Sequence, residues 1–288
     1  MTSDNNRRYS FGIIADTALY AFICLTLLAP LTGMAQTMRV HTKAGVTEFN
    51  LGSIDSITFF TIPTYQDSDI TTGMVLHMNF ENNLSDTSGY GNNGGAANQT
   101  FTADPWGHPN SAYLLNGNNN YITVPNSASL NPADQWTVAS WFRLDSITSN
   151  YITFLQKGGA ALPCWSNREY ALHIKQNFSS YYFLMYAAGD GSCQHEVDSY
   201  SYSVGQWIHL VGVYDRRNHV LKIYVNGQLT GQQSDSYSTF NVSDRPLLIG
   251  ISEESDPQYT PVLGAIDDLR MYNRALTDMQ VQLLYKSH

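Results

Sequence analysis

From Met74 onward the chain alternates apolar and polar residues in short runs separated by turn residues, a pattern few folds other than a sandwich of β-strands accommodate. Met74–Phe80, Tyr121–Val124, Trp136–Phe142, Tyr170–Ile174, Trp207–Tyr214 and Leu221–Val225 each read with a period of two. Asn226-Gly227 supplies the two positive-φ residues of a type I′ hairpin turn. Helical spacing occurs near the end, where Thr277-Asp278-Met279-Gln280 forms a capping box ahead of Val281, Leu283, Leu284 and Tyr285. The predicted class is therefore all-β, two packed sheets with one short C-terminal helix. Composition agrees: 12% of the residues are aromatic, 14% are charged and 21 are Gly. A formal net charge of −9 speaks against a nucleic-acid binder, which needs a basic face.

The first 35 residues follow different rules. Arg7 and Arg8 precede an apolar run over Ala18–Leu31, and Gly33-Met34-Ala35 is a small-x-small cleavage site. This is the order of a secretory signal peptide over 1–35, with an uncleaved anchor as the alternative. The apolar run is shorter than the roughly 20 residues of a membrane span, and no other segment could span one. Trimming removes two basic and two acidic residues, so the exported charge stays at −9. Cys24 also leaves, and Cys164 and Cys193 remain in a chain bound for an oxidising compartment. They are expected to pair as a disulfide, with two buried thiols as the alternative. Residues 36–62 read as a small β module, with a hairpin across Lys43-Ala44-Gly45 and a further strand at Ser53–Phe59. This module resembles the short β unit that follows the signal peptide in secreted bacterial surface proteins. Residues 63–73 read as a linker, and 74–288 as the main domain.

Four stretches of the main domain share a resemblance. They are Phe80–Gly94 with its Asp86-Thr87-Ser88-Gly89 loop, Leu115–Pro125 followed by Thr137–Phe142, Gly205–Asp215 leading into Leu221–Gly227, and Gly264–Thr277 with Asp267-Asp268. In this order and spacing they resemble a laminin-G-like domain of the concanavalin A-like lectin/glucanase superfamily. The resemblance implies a jelly-roll sandwich, often a structural calcium ion, and binding more often than catalysis.

Calcium seeks six to eight oxygens from carboxylates, amides and carbonyls. Asp86 and Asn92 in the first loop, with Asp267 or Asp268 on the last long strand, are the expected ligands, because the resemblance places those two strands side by side. Alternation along a strand would send Asp267 and Asp268 to opposite faces. The competing reading makes Asp86 an Asx turn and gives Asp267 a local backbone partner. Glucanases of the superfamily carry Glu-x-Asp-x-x-Glu on one strand, which this sequence lacks. The eight His are scattered, and no serine nucleophile elbow or phosphate loop occurs. The chain is therefore read as no enzyme. For binding, the segment between Gly158 and Tyr202 is rich in aromatic and amide side chains, and Trp165, Asn167, Arg168, Tyr181 and Tyr182 are the candidate ligand-binding set. The competing reading has those aromatics line the core, as Trp136, Trp141 and Trp207 are expected to do. The expected function is that of a secreted or cell-surface module binding a glycan. A protein-binding adhesion or structural module is the alternative, and a glycoside hydrolase ranks below both.

Overall fold

The computed structural model describes residues 22–23, 37–42, 45–50, 68–131, 134–147, 151–159, 167–175, 180–185, 195–200, 203–234, 242–253 and 259–287. Contacts divide the chain into one unit over Met1–Thr64 and another over Tyr65–His288. In the first unit, β2 (Thr37–Thr42) pairs antiparallel with β3 (Gly45–Asn50), and the expected turn residues Lys43 and Ala44 between them lie outside the described residues. A two-residue strand β1 (Phe22–Ile23) adds to β2. The rest of the proposed signal peptide and the strand expected at Ser53–Phe59 lie outside the described residues.

In the second unit, β-branched and aromatic runs pair into two sheets. The first contains β4 (Met74–Met78), β5 (Phe101–Thr102), β6 (Ala112–Asn116), β8 (Gln135–Leu144), β13 (Trp207–Asp215), β14 (Val220–Val225), β15 (Gln228–Ser234) and β18 (Leu263–Tyr272). Its order is β15-β14-β13-β8-β18-β6-β5, and β4 also pairs with β18. The second contains β7 (Ile122–Val124), β9 (Tyr151–Gly159), β10 (Asn167–Lys175), β11 (Ser180–Met185), β12 (His195–Tyr200), β16 (Leu247–Ile249) and β17 (Tyr259–Thr260). Its order is β12-β11-β10-β9-β16-β7, and among the described residues only β17 pairs in parallel, against β9.

Between the sheets lies one apolar core. Trp136 packs on Tyr170 with ring centroids 5.3 Å apart, and Phe142 stacks on Phe154 at 4.2 Å. Tyr113, Tyr214, Leu210, Ile266 and Met271 complete the centre. A second cluster sits on the outer face of the first sheet. There α2 (Asp278–Lys286) lays Val281 and Leu284 on Ala139, Val211, Val213, Tyr224 and Tyr272. Its start carries the expected capping box: Gln280 N–H donates to Thr277 Oγ1 at 3.2 Å, and Thr277 N–H donates to Gln280 Oε1 at 3.0 Å. The stretch read as a linker is not wholly extended. Ser68–Thr71 forms a single helical turn, α1, because Ile70 buries itself in this second cluster.

The long strand β18 is irregular at one point. Along its first half β18 pairs with β6, and along its second half with β4. At the changeover it slips against β8 between Asp267 and Arg270, and Asp268 takes a φ of 47°. The slip is a β-bulge, which re-aims side chains. Strict alternation therefore fails at Asp267-Asp268.

Candidate functional site

The bulge ties the first loop to the last strand. Asp268 Oδ1 accepts from Arg270 Nε at 2.8 Å and lies 2.9 Å from His77 Nε2 on β4. His77 Nδ1 in turn lies 2.9 Å from the Thr87 hydroxyl. Asp86 is held more completely. Its Oδ1 accepts the N–H groups of His77 and Ser88, and its Oδ2 accepts the Ser88 hydroxyl and the Asn92 N–H, all four at 2.9 Å. Burial pushes this carboxyl up, but those hydrogen bonds outweigh it and hold it below the usual range. Asn92 is buried and donates to Val75 O at 2.7 Å and to Ser129 Oγ at 2.9 Å. Asn93 Oδ1 accepts the Asp86 N–H at 2.8 Å. A carboxylate offers about four lone-pair directions, and Asp86 directs all of them at its own chain. The residues present thus fit an internal Asx turn rather than a cation. Asp267 follows the same pattern in part, accepting the Asp268 N–H at 2.7 Å. Among the described residues no three His, Cys, Asp or Glu side chains gather as a metal site.

The expected aromatic segment is only partly described. Trp165, Cys164 and Cys193 lie outside the described residues. Asn167 and Arg168 open β10, opposite Gly159 and Gly158 on β9. Tyr181 is not a surface residue: it is 2% exposed, with its ring 6.3 Å from Phe154 inside the sandwich. Register explains this, because Tyr181 lies opposite Ile174, a core residue. Tyr182, one residue on, lies opposite His173 and Asp198.

The most exposed tryptophan of the described domain stands elsewhere. Trp106 rides on the turn between β5 and β6 and is 43% exposed. Asp104 builds that turn from inside: its Oδ1 accepts the N–H groups of Trp106 and His108 at 2.9 and 2.8 Å, and its Oδ2 lies 2.6 Å from His108 Nδ1. Burial raises the Asp104 carboxyl, but these bonds prevail and keep it low. Gly107 turns the chain with a φ of 91°, a value side chains rarely tolerate.

Trp106 meets Trp141 edge-on at 5.5 Å. Trp141 stacks on Tyr285 of α2 at 5.5 Å and lies 5.2 Å from His209. Of Trp136, Trp141 and Trp207, all expected to be core, Trp136 lies between the sheets, Trp141 is buried on the outer face, and Trp207 is only half-buried. On β8, Trp136, Val138 and Phe142 face the core, while Ala139 packs in the outer cluster. Trp141 shares the outer side with Ala139 and is covered there by Trp106 and Tyr285. Trp207 is half-buried, with the Arg143 guanidinium 5.3 Å from its ring. Arg143 is also gripped by Asp145 at 2.7 and 3.2 Å.

Carboxylates surround this aromatic corner. Asp267 is the cross-strand partner of Trp141. Glu81, on the surface, accepts the Ser111 hydroxyl at 2.8 Å, at the end of the Trp106 turn. Burial and the nearby charges of Asp268, Asp104 and Glu81 push the Asp267 carboxyl up to about 8. The sequence signal for the corner was Asp104-Pro105-Trp106-Gly107-His108, a turn composition holding a large aromatic residue. At the other end of the same sheet a groove of about 330 Å³ is lined by Val213, Val220 and Leu276 together with Asp215, Asn218 and Lys222.

Comparison with known proteins places this geometry. A laminin-G family model, described as concanavalin A-like lectin/glucanases superfamily, matches residues 116–282, more than half of the chain. A botulinum-like toxin eBoNT/J of Enterococcus sp. (strain 3G1_DIV0629) is 32% identical over 79 residues, which are 27% of this chain and 6% of that toxin. Among solved structures, the binding domain of Paraclostridial Mosquitocidal Protein 1 superposes with a TM-score of 0.60 at 16% identity, over 76% of this chain and 53% of that one. The ligand-binding domain of botulinum neurotoxin serotype D, in complex with N-acetylneuraminic acid, gives 0.61 at 16% identity, over 77% and 52%. The chain thus spans about half the length of these solved domains, and at such identity they share its fold. Two antiparallel sheets, their C-terminal helix and the match over 116–282 agree: the chain belongs to the concanavalin A-like lectin/glucanase superfamily.

Proposed function

We propose that this protein is an exported, non-catalytic module that binds glycans through the Trp106 corner. The observation that carries the reading is an indole 43% exposed on a turn fastened by a buried carboxylate. Asp104 pins its backbone, and Trp141 supports its ring from the side. A sugar offers one apolar face of C–H groups, and a preset aromatic face meets it with little loss of side-chain freedom. Polar groups at the rim, Glu81 and His108 among them, can receive or donate hydroxyl hydrogen bonds. The toxin domains that share the fold are named as binding domains, and one of them holds N-acetylneuraminic acid. Export rests on the reading of residues 1–35 as a signal peptide.

A glycan array probed with the wild-type protein and with the Trp106→Ala and Trp165→Ala variants tests this. Binding by the wild type that Trp106→Ala loses by about ten-fold or more supports the corner. Loss with Trp165→Ala alone would move the site to the 158–202 segment. Silence of the wild type across the array ends the glycan reading.

A further inference from the structure

We infer that the glycan site does not end at Trp106 but runs across Arg143 to Trp207, so that its ligand is an extended β-linked oligosaccharide occupying both indoles rather than a single terminal sugar. This rests on the glycan-binding reading and adds the length of the ligand. Strand register carries it. Trp207 and His209 on β13 lie opposite Arg143 and Trp141 on β8. Ile208, Leu210 and Phe142, their alternating neighbours, face the core. Trp207, His209, Trp141 and Arg143 therefore all project from the outer face of the sheet. Trp106 meets Trp141 on that face, and Tyr285 of α2 covers Trp141 and His209. One row further along, Arg143 and Trp207 stay half-buried. Trp207 stands one strand over from Trp141 and two residues along, which sets the indoles of Trp106 and Trp207 on the order of 10 Å apart.

Between the two indoles stands a donor fixed in place. The Arg143 guanidinium lies 5.3 Å from the centroid of the Trp207 ring, and Asp145 accepts from its Nε and Nη2 at 2.7 and 3.2 Å. That grip orients the guanidinium and leaves its Nη1 donors without a partner among the described residues. A guanidinium stays charged and only donates, so the group that suits Nη1 is an oxygen such as a sugar hydroxyl. Asp145 offsets the Arg143 charge, so the pair does not call for an acidic sugar. In a β-linked glucose chain the hydroxyls lie around the edge of each ring and C–H groups cover its faces. Such a chain rests its C–H faces on the exposed parts of Trp106 and Trp207 while an edge hydroxyl accepts from Arg143.

Titration calorimetry with the full chain tests the inference, with cellobiose and cellotetraose as probes. Cellotetraose is expected to bind about ten-fold more tightly than cellobiose. Trp207→Ala is expected to bring that ratio to within about two-fold, because the shorter chain still rests on Trp106. Arg143→Gln keeps both indoles and replaces a half-exposed side chain, so it decides the matter if Trp207→Ala does not fold. It is expected to weaken cellotetraose about five-fold and cellobiose less. Equal binding of the two probes, or an undiminished length advantage in these variants, overturns the inference and leaves the glycan reading standing. So does binding of other sugars on the glycan array with neither probe bound. Silence of the wild type across the array and with both probes overturns both.

Discussion

Each sheet of the sandwich buries a carboxylate, and the two are treated in opposite ways. On β10, Glu169 is fully buried beside an equally buried Lys157, whose ammonium lies 2.5 Å from Oε1. The Ser243 N–H and hydroxyl donate to the same oxygen at 2.7 and 2.8 Å. On β18, Asp267 is 4% exposed, and the charges acting on it are further carboxylates. A buried acid given a cation and two donors is part of the scaffold. A buried acid left among like charges weakens the scaffold, and such sites concentrate where a protein meets a ligand. The two sheets thus differ in how they partner a buried acid: one gives Glu169 a cation, the other leaves Asp267 among like charges.

The largest test removes the scaffold pair. Glu169→Ala strands the Lys157 ammonium inside the protein and is expected to lower stability by about 3–5 kcal/mol in denaturant unfolding. A loss below about 1 kcal/mol would mean that Lys157 finds water, and that the two buried carboxylates are more alike than their partners make them look. Asp86 is the surface counterpart of Glu169, an acid filled by donors from its own loop. Asp86→Ala leaves three backbone N–H groups and one hydroxyl without their partner and is expected to cost about 2 kcal/mol. An unchanged midpoint would show that water replaces the carboxylate without loss.

Asp267 predicts the reverse sign. Its native value of about 8 stands above the unfolded value near 4, so between those limits the unfolded chain is the more readily ionised. Stability contributed by the protonated native form is full below about pH 4, falls as pH rises and levels off above about pH 8. Asp267→Asn, which keeps an acceptor for the Asp268 N–H, is expected to flatten the decline and to add on the order of 1 kcal/mol near neutral pH. A pH profile of the melting temperature parallel to the wild type would erase the contrast between Asp267 and Glu169. Asp86, Asp104, Asp215 and Asp278 are held low, so their contribution is present above their ordinary range and disappears as acid protonates them. The smallest effect expected is that of calcium. With Asp86 engaged internally, millimolar calcium or a chelator should move the melting temperature by less than about 1 °C. A rise of several degrees would show that the loop rebuilds itself around the ion.

Much of the fold could be read in the chain, because strand alternation, the Asn226-Gly227 turn and the Thr277–Gln280 capping box are local features. The site was far less legible. Tyr181 and Tyr182 look alike in sequence, and only register sends Tyr181 into the core. Trp136 and Trp141 are five residues apart on one strand, and so have opposite parity. Their faces were open to derivation, but the cover over Trp141 was not, since it comes from a turn about 35 residues earlier and a helix at the far end of the chain. The bulge at Asp267-Asp268 was equally hidden, because it arises where β18 exchanges β6 for β4.

By itself the sequence determined several of the central strands, where the last helix begins and which superfamily they assemble, because periodicity, turn chemistry and capping act over a few residues. Tertiary structure alone decided which aromatic residues reach the surface and which carboxylates find a cation. Both depend on the neighbours a strand acquires from distant parts of the chain, and one residue of register is enough to exchange inside for outside.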